Sequence, residues 1–184
     1  MPASTCEGMN VEATTRYTIA EVNGWDQAAF TRLLGPVFEH SPWIAERTWP
    51  KRPFGSLESL HQSLCETVVG STAEEKLALI RAHPDLVGRA ALAGALTASS
   101  TKEQASAGLD KLSADETRLF GDFNQAYRDK FGFPFVICAR LNKTAAILDG
   151  FRARLDHTRP EEIQNALEEI GKIAYLRLQD IIRP

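Results

Sequence analysis

The stretch RAHPDL at residues 81–86 is where an apolar segment with helical spacing meets a proline. Pro84 lacks a backbone N–H and disfavours the α conformation at the residue before it, so His83 is predicted to close a helix. A histidine in that position commonly hydrogen-bonds the last carbonyl groups of the helix, which is a structural role. A catalytic role for His83 requires partners from other parts of the chain.

The segments before and after this stretch also have the spacing of helices. Apolar residues recur three and four positions apart, with signals for helix starts and ends between them. A capping box at Ser71–Glu74 begins the helix that leads to His83. The predicted helices of this half are 23–34, 42–48, 57–68, 71–83 and 86–96, the last interrupted by Gly88 and Gly94.

The second half of the chain continues the helical pattern. Capping boxes occur at Ser100–Glu103 and Ser113–Glu116, and the second predicts a helix that ends near Gly132. Pro160 in the first turn after Thr158 predicts a long last helix that ends at about residue 182. The sequence therefore predicts an all-α fold with a single compact multi-helix domain.

Residues 131–138, FGFPFVIC, are continuously apolar. One isolated strand would have no pairing partner elsewhere in the chain, so we predict a buried loop that leads into a helix. The backbone N–H and C=O groups of Phe135, Val136 and Ile137 must then find partners inside the protein. A bound planar ligand rich in amides would supply them, and so would local hydrogen bonds and water.

Size and charge limit the functions open to the chain. Its 184 residues, 43% of them hydrophobic, suit one domain, predicted over 18–184 after a flexible tail at 1–17. The net charge of −3, with basic residues scattered among acidic ones, argues against nucleic-acid and membrane-surface partners. The chain has no apolar run of membrane-spanning length, and residues 1–17 lack the hydrophobic stretch of a signal peptide.

Cysteine and histidine spacing argues against a metal site. Cys6, Cys65 and Cys138 are widely separated and form no CxxC pair, which favours a reducing compartment without a disulfide framework. The histidines form no HExxH motif. We therefore expect no metal ion and a cytoplasmic protein.

Arg177 lies on the predicted apolar face of the last helix. At 100° per residue it falls on one stripe with five apolar residues, Ile163, Leu167, Ile170, Ala174 and Ile181. Burial of a guanidinium is costly unless it meets an anion, because arginine does not lose its proton. Arg177 therefore forms either a buried ion pair with a core carboxylate or a binding site for a substrate carboxylate.

The polar candidates together suggest acid–base chemistry on a small anion. A carboxylate such as Glu103 can fix the tautomer of an imidazole such as His83, while Arg177 holds an anionic group. Ser100 and Gln104 lie beside Glu103 in the sequence. The alternatives are that Glu103 only completes a capping box, and that the protein is a helical binding module with a groove near Phe133.

Three separated blocks resemble those of a known family. The first is HPDL at 83–86. The second comprises LT at 96–97, Ser100, Glu103–Gln104 and AGL at 107–109. The third is KFGFPFVI at 130–137. The blocks, with 173–178, resemble the 2-oxo-4-hydroxy-4-carboxy-5-ureidoimidazoline (OHCU) decarboxylase family in order and spacing, over about residues 20–182. The resemblance implies an all-helical homodimer that converts OHCU from urate breakdown to (S)-allantoin, releasing carbon dioxide without a cofactor.

The resemblance also implies roles for individual residues. His83, Glu103 and Arg177 match the catalytic positions, and His83 is expected to move a proton while Glu103 orients its ring. The positions that match ligand contacts are Pro84, Ser100, Gln104, Phe135, Val136 and Ile137. The chain ends IIRP rather than in a peroxisomal tripeptide, so we expect a cytoplasmic enzyme. A lyase or hydrolase that acts on a related ureide remains the alternative enzyme.

Overall fold

The computed structural model describes residues 16–88, 91 and 93–183, and helices make up nearly all of their regular structure. The α-helices of this part are α1 (Ile19–Gly24), α2 (Gln27–Leu34), α3 (Trp43–Thr48), α4 (Leu57–Val69), α5 (Ala73–Ala82), α6 (Ala98–Ser106), α7 (Ala114–Phe131), α8 (Thr144–Arg154) and α9 (Arg159–Ile181). Short 3₁₀ turns occur at Gly35–Val37, Trp49–Lys51 and Ala139–Leu141. The predicted all-α fold class is confirmed. None of the helices in the described part has the length and apolarity to cross a bilayer.

Helix starts mostly follow the predicted caps. Ser56 and Ser113 each accept a hydrogen bond from the N3 backbone N–H of the helix that follows, as a capping box requires. At the start of α9, the N–H and hydroxyl of Thr158 both donate to the Glu161 carboxylate. The box before α5 uses Thr72 with Glu75, one residue later than predicted. The hydroxyl of Thr72 lies at the start of the helix and reaches the N–H of Glu75 at 3.2 Å.

Two predicted helix boundaries are wrong. The segment 23–34 contains the end of α1 and the whole of α2, because Asp26 caps a new helix through the N–H of Ala29 at 2.7 Å. Helix α6 begins after Thr97, whose hydroxyl accepts from the N–H of Ser100, so the predicted box at Ser100–Glu103 does not form. Glu103 therefore lies inside the helix and is available for another partner.

Two predicted segments are described only in part. Of the predicted helix at 86–96, residues 89, 90 and 92 lie outside the described part, and Leu86 and Val87 form a turn. Residues 1–15 of the predicted tail also lie outside it. Tyr17 pairs with the end of the chain: its N–H donates to Ile181 O at 2.9 Å, and its carbonyl accepts from Arg183 N at 2.8 Å.

Helix α9 is the longest helix of the described part and packs against α4 and α5. Of the predicted stripe, Ile170, Ala174 and Arg177 are buried. The other three, Ile163, Leu167 and Ile181, are only half-buried. The buried face is completed by Glu162, Ala166, Ile173 and Leu178. It is therefore rotated slightly around the helix axis from the predicted face.

The predicted buried loop follows α7. That helix ends at Gly132, whose φ of 78° is left-handed and therefore suits glycine. From Phe133 to Cys138 the chain has no regular secondary structure and is almost entirely buried, as predicted. The Phe135 ring stacks on Phe151 with 3.8 Å between ring centroids. This packing holds the loop against α8.

Candidate active site

A small cavity of about 40 Å³ lies where the end of α5, the middle of α6, the buried loop and α9 meet. Every residue that the sequence pattern and the resemblance single out lines it: His83, Pro84, Ser100, Glu103, Gln104, Phe135, Val136, Ile137 and Arg177. Leu86, Ala139 and Ile173 complete the walls. Residues almost a hundred positions apart in the sequence thus share one space.

His83 closes α5 as predicted, with extended backbone angles and its N–H donating to Ile80 O at 3.2 Å. The ring Nδ1 lies 2.9 Å from Leu79 O. A carbonyl oxygen only accepts, so Nδ1 carries the hydrogen, and Nε2 of the neutral ring keeps its lone pair. Burial lowers the pKa of His83 to about 4, against the opposing effects of the Leu79 hydrogen bond and Glu39. The imidazole is therefore neutral near pH 7 and suited to act as a base.

Arg177 is only 5% exposed and is held by two carboxylates. Its Nε and Nη2 donate to the two oxygens of Glu103, both at 2.8 Å, and its Nη1 donates to Glu39 Oε2 at 2.9 Å. Burial alone would lower the pKa of Arg177, but the hydrogen bonds and charges of both glutamates raise it above its ordinary value. The buried ion pair considered from the sequence is therefore present.

Glu103 does not contact His83 in the way we expected. Both of its oxygens accept hydrogen bonds from the guanidinium of Arg177, and among the described contacts Glu103 makes none with the imidazole of His83. The backbone carbonyl of Leu79 orients the ring instead. Because Thr97 caps α6, Glu103 lies in the second turn of that helix, within hydrogen-bond distance of Arg177 on α9.

Glu39 is the site residue that sequence reasoning missed. It is 3% exposed, and its carboxylate accepts from Arg177 and from the hydroxyl of Thr97 at 3.0 Å. Burial raises the pKa of Glu39, but Arg177 and Thr97 outweigh this, so the pKa lies below its ordinary value. The buried arginine implied a core carboxylate, but nothing in the sequence distinguishes Glu39 from the other acidic residues.

Gln104 and Ser100 make contacts within the protein as well as lining the cavity. Gln104 Oε1 accepts from Val87 N at 3.0 Å, and its amide nitrogen lies 3.4 Å from Asp85 O. Val87 has a φ of 54°, which is strained for a β-branched residue. Gln104 therefore supports the strained turn that follows Pro84. Ser100 contacts the guanidinium instead, with its Oγ 3.5 Å from Arg177 Nη2.

Side chains of α8 and α9 anchor the buried loop. Arg154 Nη1 donates to Val136 O at 2.8 Å, and Cys138 N donates to Glu169 Oε2 at 2.7 Å. Among the described residues, the N–H groups of Phe135, Val136 and Ile137 have no hydrogen-bond partner. Buried N–H groups are rarely left without one, so these groups are available to a ligand or to water.

Within residues 16–88, 91 and 93–183, no group of three or more His, Cys, Asp or Glu side chains is arranged to hold a metal ion. The polar groups of the cavity are instead paired by hydrogen bonds and charge. The arrangement provides one neutral imidazole, one guanidinium fixed by carboxylates, and unpaired backbone N–H groups beside them.

Known proteins resemble the chain along nearly its whole length. The family model for OHCU decarboxylase matches residues 23–179. The 2-oxo-4-hydroxy-4-carboxy-5-ureidoimidazoline decarboxylase of Halalkalicoccus jeotgali is 41% identical over 170 residues, covering 92% of this chain and 94% of that protein. The protein of the same name from Amia calva is 40% identical over 163 residues, covering 89% and 93%.

Two solved structures share the fold. A crystal structure of (S)-allantoin synthase superposes with a TM-score of 0.72 at 28% identity, covering 91% of this chain and 54% of that longer chain. A structure of OHCU decarboxylase in the presence of (S)-allantoin gives 0.61 at 23% identity, covering 74% and 87%, which supports the fold alone. Given the extent of the family match and relatives of about 40% identity, the chain belongs to the OHCU decarboxylase family.

Proposed function

We propose that this protein converts OHCU to (S)-allantoin and carbon dioxide in urate degradation, without a cofactor. Membership of the family and the names of its relatives support the reaction and the small-molecule substrate. The observation that carries the proposal is the convergence of His83, Arg177 and the loop at Phe135 on one cavity. These groups provide a base, a cation and N–H donors, which suit a ureide that carries a carboxylate.

The chemistry of OHCU explains why these groups suffice. The substrate has a carboxylate and a hydroxyl on one ring carbon, next to a C=N bond at the carbon that bears the ureido group. When the bond to the carboxylate breaks, carbon dioxide leaves and its electrons form a C=C bond between the two ring carbons. The C=N pair moves onto nitrogen, which takes up a proton. The hydroxyl then loses its proton to become a carbonyl, and the ureido carbon gains a proton.

His83 is the group that we assign to proton transfer. With Nδ1 bound to Leu79 O, Nε2 is free to take the hydroxyl proton and to return a proton to the ureido carbon. In water that carbon is protonated from both faces, which gives a racemic product. Delivery from one fixed side chain produces a single enantiomer.

Arg177 and the loop are assigned to binding. The guanidinium holds an anionic or carbonyl oxygen of the substrate, and Glu103 fixes its plane through two hydrogen bonds. The free N–H groups of Phe135, Val136 and Ile137 bind oxygens of the ring or ureido group. Fixing the substrate in this way removes much of the orientational cost of the reaction.

The test is direct. OHCU is generated in situ from urate, and (S)-allantoin is followed by circular dichroism. We expect His83→Gln to abolish the enantiomeric excess and to lower the rate at least about a hundredfold, which is typical of a lost acid–base group. His157→Gln is the control, because His157 also hydrogen-bonds within the protein, to Glu162 Oε1 at 2.7 Å, but lines neither the cavity nor the apolar groove between α4 and α9.

A wild-type rate and handedness in His83→Gln would contradict the proton role of His83. Wild-type protein that yields no excess of (S)-allantoin would contradict the reaction itself. A related ureide that is turned over instead would favour the alternative lyase or hydrolase.

Assembly and location complete the proposal. We infer a homodimer, supported by an apolar surface groove of about 580 Å³ between α4 and α9, where Val69 is 71% exposed and Leu141 60% exposed. Cys65 and Cys138 are free thiols, which suits a reducing compartment, so we place the reaction in the cytoplasm.

A further inference from the structure

We propose that Glu39 is a positioning residue for the reaction. Its carboxylate fixes Arg177 and the start of α6, and it gives the site a net negative charge. The proposal rests on the proposed function. It assigns to Glu39 an effect on how the substrate anion is bound and on how fast it reacts. Glu39 exerts this effect through Arg177 and without touching the substrate.

Glu39 approaches Arg177 from the side away from the active-site cavity. It is absent from the walls of that cavity and lines a separate surface cavity with Pro36, Thr97 and Ser99. Its Oε2 accepts from Arg177 Nη1 at 2.9 Å, while Glu103 takes Nε and Nη2. The guanidinium is therefore held on two edges, and only Glu103 faces the reacting groups.

The same carboxylate also holds the first turn of α6. Glu39 Oε1 accepts from the Thr97 hydroxyl at 3.0 Å, and Ser100 Oγ lies 3.4 Å from both carboxylate oxygens. The Thr97 hydroxyl in turn caps α6 by accepting from Ser100 N. Because α6 carries three cavity residues, including Glu103, one buried carboxylate sets the positions of both the cation and its partner.

Glu39 also changes the charge of the site. Arg177 of α9 pairs with Glu39 and with Glu103 of α6, and the charge of Glu39 also acts on His83 at the end of α5, which lies near His40. With His83 neutral, one guanidinium is shared by two carboxylates, so the cluster carries a net charge of −1. A substrate carboxylate is thus attracted less strongly than it would be by Arg177 paired with Glu103 alone.

These two effects predict a distinctive result for Glu39→Gln. The amide keeps the shape and one acceptor, but Arg177 loses the negative charge of this partner, so an ion pair becomes a weaker hydrogen bond to a neutral oxygen. We expect kcat to fall at least about tenfold, because Arg177 is less firmly oriented for the transition state. We expect KM to stay equal or fall, because the neutral site attracts the substrate anion more strongly.

The experiment compares Glu39→Gln with Glu46→Gln in the full chain, using OHCU made in situ. Glu46 is the matched control because it is an exposed glutamate in the neighbouring helix α3. The expected result is the split between kcat and KM in Glu39→Gln only. Equal kinetics in the two variants, or a raised KM with unchanged kcat, would overturn the proposal.

A second readout needs no substrate. The carboxylate of Glu39 raises the pKa of His83, so NMR titration of the His83 ring should show a lower pKa in Glu39→Gln and no change in Glu46→Gln. An unchanged His83 titration in Glu39→Gln would overturn the charge effect. This holds even if wild-type protein fails to make (S)-allantoin, an outcome that would contradict the proposed function instead.

If Glu39→Gln does not fold, Glu39→Asp replaces it in both measurements. The shorter side chain keeps the charge but withdraws the carboxylate from Arg177. We expect kcat to fall without the decrease in the His83 pKa. A wild-type kcat in Glu39→Asp would overturn the positioning role.

Discussion

At the scale of single residues, the site depends on how each buried polar group is neutralised. Leu79 O accepts the Nδ1 hydrogen of His83 and leaves Nε2 as the base, while Arg177 is balanced by Glu103 and Glu39. Unpaired, each of these groups would destabilise the fold, because buried polar groups and buried charges are both expensive without partners. Stability and chemistry therefore rest on the same hydrogen bonds.

The buried imidazole makes stability depend on pH. The pKa of His83 falls from 6.5 to about 4 on folding, so below pH 6.5 the unfolded chain binds a proton that the folded protein does not. Above pH 6.5 the burial of His83 makes no pH-dependent contribution to the free energy of unfolding. As the pH falls from 6.5 to 4, it destabilises the folded protein increasingly. At about pH 5 it amounts to roughly 2 kcal/mol.

Urea unfolding of wild type and His83→Gln at about pH 7.5 and about pH 5 measures this effect. We expect the free energy of unfolding to fall more on acidification in wild type than in the variant. Equal losses in both proteins would show that His83 is protonated in the folded state or is not buried as described.

At the scale of elements, the turn after Pro84 connects α5 to the rest of the site. Gln104 supports it at Val87, and Arg128 of α7 holds Asp85 through an ion pair of 2.9 Å. The turn also requires glycine at residue 88, where an added Cβ would lie 2.6 Å from the Asp85 Cβ. The strained φ of Val87 is thus held by neighbours on several sides.

Gly88→Ala is therefore expected to displace Asp85 and the turn that carries Pro84. We predict a loss of activity with about 1–3 kcal/mol of destabilisation, the usual cost of overpacking. Gly121→Ala is the control, since its Cβ would meet nothing within 4 Å, and alanine within α7 should stabilise by up to about 1 kcal/mol. Activity assays and thermal unfolding of both variants check this. Full activity in Gly88→Ala would mean that the turn accommodates a methyl group.

At the scale of the whole molecule, α9 joins the core to the site. Its buried face supplies Ile170 and Ala174 to the hydrophobic core and Arg177 to the cavity. Its other side, with α4, forms the apolar groove that we assign to a second copy of the chain. Assembly through that groove would bury apolar surface that is otherwise exposed to water.

Leu141→Glu tests the assembly. A carboxylate in the groove should be costly to desolvate in an interface, so we expect the dimer to dissociate to monomer in light scattering coupled to size exclusion. Lys111→Glu, at an exposed position outside the groove, should leave the assembly unchanged. A dimer that persists in Leu141→Glu would place the interface elsewhere.

Local chemistry made much of the fold predictable. Ser113 and Gly132 bound α7 because a side-chain cap and a left-handed residue act within one turn of the backbone. His83 ends α5 for the same kind of reason, since Pro84 restricts its neighbour directly. The choice of Thr97 over Ser100 as a cap was not predictable, because both are good cap residues and packing selects between them.

By itself the sequence determined the all-helical class, the break at His83, the buried loop and, through the HPDL and FGFPF blocks, the family. Only the tertiary structure decided which groups pair inside the site: Glu103 with Arg177, Leu79 with His83, and Glu39 as the second carboxylate. The reason is physical. Helix caps and proline effects act over a few residues, whereas a buried charge takes whichever partner the packing of distant segments brings within hydrogen-bond distance.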